Sequence, residues 1–541
     1  MAHETFATQF GVRPIVYGRR GMVATANPLA SLAGVRMLAQ GGNAVDAVVA
    51  AAAAIAVVEP YMSGLAGCGA LLLTRANEQP RALVFFGRAP RMATLDRFGD
   101  APPDVGYLAT AVPGNLAGWA RVLQDYGTMS LEQVLEPAIE YAEKGIPFTP
   151  FDRMIFTEFS PRLTPEGTAT YLPSGQIPDG GTLTQFHLAT TLQQIAKHGV
   201  GYLYDGPLGQ SIERWMEAHG GLLRLSDLRT YPETLQWEDS IQTAYRGITV
   251  YAPPPPSSAV QILVTLNLLS QFDIGHTAHL GPEHIAMIAE TSRAARMDTD
   301  QHVADPAFRR VPIEHLLSSA HTRDLLRQVS SRVEASHTAG PHPAGQADVG
   351  LTTHLAAADA SGLAVNISQS LGNPFGSGVV VPQTGVCLND CMHWFSVAPG
   401  HPNVVEPGKT HDFPVAPLHL FRDGQFWGTL GTPGSYGILV TTIQVLVNLI
   451  DFGLNLQDAI AAPRFRWADD VEDRLPARIL RMESRIPSRT REVLEAQGYE
   501  IEMLGPWTLR VGGVQGILMD RATGWIAGAG DPRRNSYAIG W

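Results

Sequence analysis

Hydrophobic and polar positions change period along this chain, which divides it into short alternating runs and longer helical ones. Gly21 to Thr25 reads as a strand, and Asn27-Pro28 after it is a helix-start signal. Leu29 to Leu38 has apolar residues at helical spacing and stops at Gly41-Gly42. Ala44 to Val58 is almost wholly apolar, interrupted by Asp46 and closed by Glu59-Pro60. It is too short for a membrane span and predicts a buried helix. A turn holding Gly64, Gly67 and Gly69 precedes a strand over Ala70 to Thr74, and Gly281 to Met297 has helical spacing again. Farther on, Thr352 to Ala358 and Leu363 to Ser368 predict a hairpin around the turn Asp359-Ala360-Ser361-Gly362. A glycine-rich loop, Gly372 to Gly378, follows it. Leu430-Gly431-Thr432-Pro433-Gly434-Ser435 is a second such turn, leading into a helix over Ile438 to Asp451. Ser330 to Asp348 is the weakest-patterned segment and predicts an exposed linker ending just before Thr352.

Composition narrows the class. The 541 residues are 45% hydrophobic and 17% charged, enough to bury a large core. A net charge of −12 argues against nucleic acid or an anionic membrane as partner. Three cysteines, Cys68, Cys387 and Cys391, make no disulfide framework and are expected as buried thiols rather than a metal site. The N-terminus carries no signal-peptide pattern, so a cytoplasmic location is expected. No metal site and no cofactor are expected: His276, His279 and His284 do not follow H-E-x-x-H spacing. The glycine turn around Gly64 to Gly69 lacks phosphate-loop spacing, and no G-x-S-x-G elbow occurs.

The ordered motifs resemble the γ-glutamyltransferase family, a branch of the N-terminal-nucleophile hydrolases. They are Gly21-Met22-Val23-Ala24, Asn27-Pro28-Leu29-Ala30-Ser31, Gly41 to Ala47, Val58-Glu59-Pro60, Thr352-Thr353-His354, Phe375 to Gly378, Leu388-Asn389-Asp390, and Gly528 to Arg533. The resemblance covers nearly the whole chain. It implies a four-layer αββα sandwich (α/β, of the α+β kind). It also implies cleavage between Leu351 and Thr352 into a large piece, 1–351, and a small piece, 352–541, that stay one structural domain. A Thr hydroxyl is a weak nucleophile until a base takes its proton. The α-amine freed at Thr352 would serve as that base, since its pKa lies near 8.

By the same resemblance Ser370 falls where a second hydroxyl supports the nucleophile, and Gly434 and Ser435 fall where backbone N–H groups hold the oxyanion. Thr353 and His354 are assigned to structure. The family's contacts to a γ-glutamyl head group fall at Phe86, Gly372, Cys391, Trp394, Phe413 and Pro414, so none of the polar partners is kept. Asn373 and His393 lie in the same region; Arg88, or else His393 and His411, could meet a carboxylate, with a purely structural Arg88 the alternative. The resemblance includes cephalosporin acylases and oxamate amidohydrolase, so a small or hydrophobic acyl amide is the expected substrate. A γ-glutamyl hydrolase or transferase with a rebuilt pocket stays open, as does an uncleaved binding relative. The expected partners are a small amide and the two pieces of one precursor; a homodimer is one assembly open to it.

Overall fold

A computed structural model of the chain describes residues 12–76, 78–334, 352–468 and 479–541, with backbone alone over 328–334. Two seven-stranded sheets, antiparallel at every pairing, form its centre. The first runs, in order across the sheet, Tyr537–Gly540, Gly21–Thr25, Thr352–Asp359, Leu363–Ser370, Cys68–Arg75, Arg81–Phe85 and Trp237–Asp239. The second runs Val16–Gly18, Trp525–Gly530, Gln515–Asp520, Gln425–Gly431, Leu418–Arg422, Ile248–Ala252 and Ile241–Tyr245.

Strand alternation sorts the layers. Leu355, Ala357, Val365, Ile367, Leu71 and Leu73 pack with the helices Pro28–Ala39 and Ala44–Val58 in one core. Their neighbours Ala356, Ala358 and Ala364 meet Phe421, Phe426 and Ile517 of the second sheet. That sheet's far face, with Val250, Leu418 and Leu430, packs on the helices Val260–Leu269, Pro282–Thr299 and Gly437–Ile450. The result is helix, sheet, sheet, helix, as the resemblance implied. Strands from both sides of residue 351 interleave in each sheet, so cleavage there would leave neither piece with a complete sheet.

The hairpin and the buried helix form where the pattern placed them. Asp46 does not disturb its apolar helix because it caps it. Its carboxylate accepts from the Asn43 and Met129 amides and from both the amide and hydroxyl of Thr128, at 2.6 to 3.0 Å. Asp359 in the hairpin turn accepts from the Ala44 amide at 2.9 Å and so ties turn to helix. The expected linker is corrected at its start. The helix Ser319–Glu334 takes in its first residues, and the rest lies outside the described residues. Among the described residues, no helix is long and apolar enough to cross a membrane.

Candidate active site

Thr352 is the first residue of its strand and is 2% exposed. Antiparallel register sets it opposite Ser370, and Ser370 opposite Cys68 on the next strand. Cross-strand partners put their side chains on one face of a sheet, so Thr352, Ser370 and Cys68 form a row. It lies on the face that carries Ala356 and Ala364, toward the second sheet. The Ser370 hydroxyl accepts from the Gly372 amide at 2.9 Å and donates to the Gly372 carbonyl at 3.1 Å. This hydroxyl therefore pins the loop that leaves the strand beside Thr352. His354 is buried against Gly431 and bonds Ser368 Oγ through Nδ1 at 2.7 Å. Burial holds its pKa down at about 3, which suits the structural part given to it. Leu351 lies outside the described residues.

The turn after the strand Gln425–Gly431 reaches the Thr352 end of the sheets. Thr432 Oγ1 accepts from the Gly513 amide at 3.0 Å. Gly513 packs on Arg534, whose guanidinium donates to the Thr352 carbonyl at 3.3 Å. Gly434 has φ +134° and Ser435 φ +55°. Two successive left-handed residues turn the backbone sharply, and the second is a serine where a glycine would be relaxed. That strain is held at the turn that the resemblance made the oxyanion site.

The residues expected around the acyl group are brought together. Phe86, Cys391 and Phe413 are buried in one cluster with Met392 and Phe395, and half-buried Trp394 packs against it. Phe413 meets Phe86 at 5.5 Å and Trp394 at 4.8 Å between ring centroids, and Trp394 meets Tyr436, beside Ser435, at 5.6 Å. Pro414 is buried next to Phe413. Gly372 is required where it stands: its φ is +103°, and a Cβ would lie 1.8 Å from Asp390 Oδ1. Asn373 is committed to that carboxylate, donating through its amide nitrogen at 2.9 Å and its side chain at 2.8 Å. His393 points its Nδ1 at the Pro102 carbonyl, 3.4 Å away. Arg88 is half-buried between Val112 and Thr410, to which its backbone is bridged. Among the described residues its guanidinium has no hydrogen bond or ion pair.

Two buried ionisable side chains, Glu59 and Arg534, are not evident from the sequence. Glu59 is fully buried, its carboxyl group has no hydrogen-bond partner among the described residues, and it lies in the field of Arg534. Burial raises its pKa from 4.5 to about 7, with Arg534 opposing and Asp152 adding to the rise. Between those values the folded state keeps a proton that the unfolded chain has released. Stability therefore falls as pH rises from about 4.5 to about 7, by about 3 kcal/mol. Glu59→Gln is expected to flatten that slope, measured by urea unfolding at pH 5 and pH 8; an unchanged slope would remove Glu59 as its source.

The three cysteines are buried free thiols, as expected, but two of them share a site. Cys387 stays apart, donating to the Phe375 carbonyl at 3.1 Å. Cys68 and Cys391 meet, sulfur to sulfur, at 3.1 Å, with His411 beside them. Spacing could not show this, because Cys391 stands 323 positions after Cys68 and only tertiary packing of its short helix on the strand of Cys68 joins them.

Stacked antiparallel sheets between helical layers, with a threonine opening a central strand opposite a hydroxyl, are the architecture of the N-terminal-nucleophile hydrolases. Within that class the chain belongs to the gamma-glutamyltranspeptidase family, whose model matches residues 30–541. It is similar to an acylase ACY 1 proenzyme from Pseudomonas sp. (strain V22), 35% identical over 95% of this chain and 92% of that one. It is also similar to a glutathione hydrolase proenzyme from Escherichia coli (strain K12), 32% identical over 96% and 91%. The crystal structure of a cephalosporin acylase from Bacillus halodurans superposes with a TM-score of 0.89 at 30% identity, over 100% of this chain and 99% of that one. The chain is a self-processing amidohydrolase of this family.

Proposed function

We propose that the chain cleaves its own Leu351–Thr352 bond and then hydrolyses amides of a small or hydrophobic acyl group through an ester on Thr352. The freed α-amine takes the Thr352 hydroxyl proton as Oγ attacks the amide carbonyl, and passes it to the departing amine. Water then attacks the ester and regenerates the hydroxyl. Backbone N–H groups at Gly434 and Ser435 would face the oxyanion, where one such donor typically contributes about 3 kcal/mol to the transition state. Ser370 would hold the nucleophile's side of the loop.

One observation carries the choice of substrate. Phe86, Cys391, Trp394 and Phe413 pack on one another as a single apolar cluster. An ammonium and a carboxylate buried there would lose hydration without gaining partners. The ACY 1 and cephalosporin acylase relatives favour the same reading. Glutaryl and short alkanoyl anilides are therefore expected to turn over at least about 100-fold faster in kcat/KM than the γ-glutamyl anilide, since unmatched charged contacts cost about 3 kcal/mol. Equal or faster γ-glutamyl release would reject this substrate class.

Arg88 reads a carboxylate at the far end of the acyl group. Its lack of an anionic partner among the described residues, and its place one residue past Gly87 at the edge of the cluster, support this. Arg88→Ala is expected to raise KM about tenfold or more for glutaryl substrates while leaving neutral alkanoyl substrates unchanged. A KM unchanged for both would make Arg88 structural.

A further inference from the structure

We propose that Cys68, Cys391 and His411 form a binding site for a thiophilic divalent cation, zinc, at the end of the row that begins with Thr352. All three side chains are fully buried, and their ligand atoms lie within 4.8 Å of one another. His411 Nδ1 lies 2.8 Å from the Asp412 carbonyl. A carbonyl only accepts, so Nδ1 carries the proton and Nε2 presents a lone pair. That Nε2 is buried, has no nitrogen or oxygen partner among the described residues, and faces the Cys68 thiol. A metal-bound imidazole is oriented in the same way: the outer nitrogen donates to a fixed acceptor and the inner one faces the ion.

The sulfur separation lies between the values that the two roles, disulfide and metal ligand, require. At 3.1 Å it must shrink by about 1 Å to form a disulfide. It must open by about 0.7 Å to span a tetrahedral zinc with Zn–S bonds near 2.3 Å. Either movement is small, so distance alone does not decide. The imidazole does. A disulfide would leave the Nε2 lone pair buried with nothing to accept, at the cost of an unsatisfied polar group. An ion satisfies both sulfurs and the nitrogen together. Two thiolates, one imidazole and a fourth position left to a non-protein ligand is a known zinc arrangement.

Position gives the site its interest. Cys68 is two strands from Thr352 in the same row, about 10 Å at the usual strand spacing. Cys391 and His411 are in contact with the apolar cluster: Cys391 belongs to it, and the His411 ring stacks on Phe86 at 5.8 Å and meets Phe413 edge-on at 5.0 Å. The ion would thus fix the wall of the acyl pocket without touching the nucleophile.

The test uses full-length protein, reduced and freed of metal by a chelator, with cobalt(II) as the optical probe. The expected result is uptake of one equivalent, with a near-ultraviolet sulfur-to-cobalt band and the intense visible bands of a tetrahedral site, both displaced by zinc. Cys391→Ser and Cys68→Ser are each expected to weaken uptake more than about 100-fold, beyond what loss of an outer partner does. Cys387→Ser should bind as the unaltered protein does. Thr352→Ala should also bind normally, so a failed metal site and a failed nucleophile assignment give different results. No cobalt spectrum from the unaltered protein would overturn the proposal, as would a spectrum that survives Cys391→Ser. So would loss of two of the three titratable thiols in denatured, unreduced protein, the signature of a disulfide.

Discussion

Thr352→Ala is expected to yield one uncleaved chain of 58.3 kDa with no amide turnover, where the unaltered sequence yields pieces 1–351 and 352–541. Two losses are combined in that one substitution. The hydroxyl that would attack the preceding carbonyl is gone, so the α-amine that serves as base is never freed. The hydroxyl that would carry the acyl group is gone as well. The fold should survive, because Thr352 contributes only one small side chain at the end of a strand that pairs with one neighbour from Thr352 on and with a second from Leu355 on. Intact mass and N-terminal sequencing of both proteins decide the point. Thr352→Ser, which keeps a hydroxyl, is expected to process and turn over, though more slowly. If Thr352→Ala is still cut before residue 352, the self-cleavage assignment falls, and an outside protease must be sought.

What could be read from the chain before its pairing was known divides along a physical line. Local patterns were legible: the helix over Ala44–Val58 and the hairpin at Asp359–Gly362 formed within a residue or two of the expected ends, because period and turn chemistry are properties of neighbours in sequence. The layer order came from resemblance and agrees with the fold. The start of the expected linker falls in the helix Ser319–Glu334 because polar residues dominate that end of its sequence and weaken the apolar period. The pocket residues could be placed one by one, but not their mutual packing. The Cys68–Cys391–His411 cluster and the Arg534 contact to Thr352 were not legible at all. They depend on where loops and a short helix hundreds of residues away are packed against the strands of Cys68 and Thr352, and a register shift of one residue would send Cys68 to the helical face.

The same lesson applies to the charges that hold the C-terminal turn, where the second large effect is expected. Arg464, Glu483, Asp531 and Arg533 are all buried, and their charged groups are paired with one another without water-exposed atoms. Asp531 is the centre. Its Oδ2 accepts from the Val514 amide at 2.9 Å and pairs with Arg464, while Oδ1 takes the Arg533 amide at 3.0 Å and its guanidinium at 3.2 Å. Burial alone would raise this carboxyl's pKa, but the two guanidinium groups outweigh it and hold it below the ordinary value. Arg464 also donates to the Val511 carbonyl at 2.8 Å, so the network fixes residues 511–514 from both sides. Those residues in turn hold Thr432 and face Gly434. Asp531→Asn keeps the shape and removes the charge, leaving buried Arg464 and Arg533 with Glu483, which Arg485 already shares at 2.7 Å. A broken buried pair of this kind typically costs 3–5 kcal/mol, so a loss of about 4 kcal/mol is expected. Glu502→Gln, which breaks the partly exposed pair with Arg481, should cost less than about 1 kcal/mol and serves as the control. Urea midpoints of the two variants measure the contrast, and the yield of cleaved pieces shows whether the loosened turn still supports attack by Thr352. Equal midpoints would mean that the buried network adds nothing beyond an exposed pair, and the turn would then be held by its backbone alone.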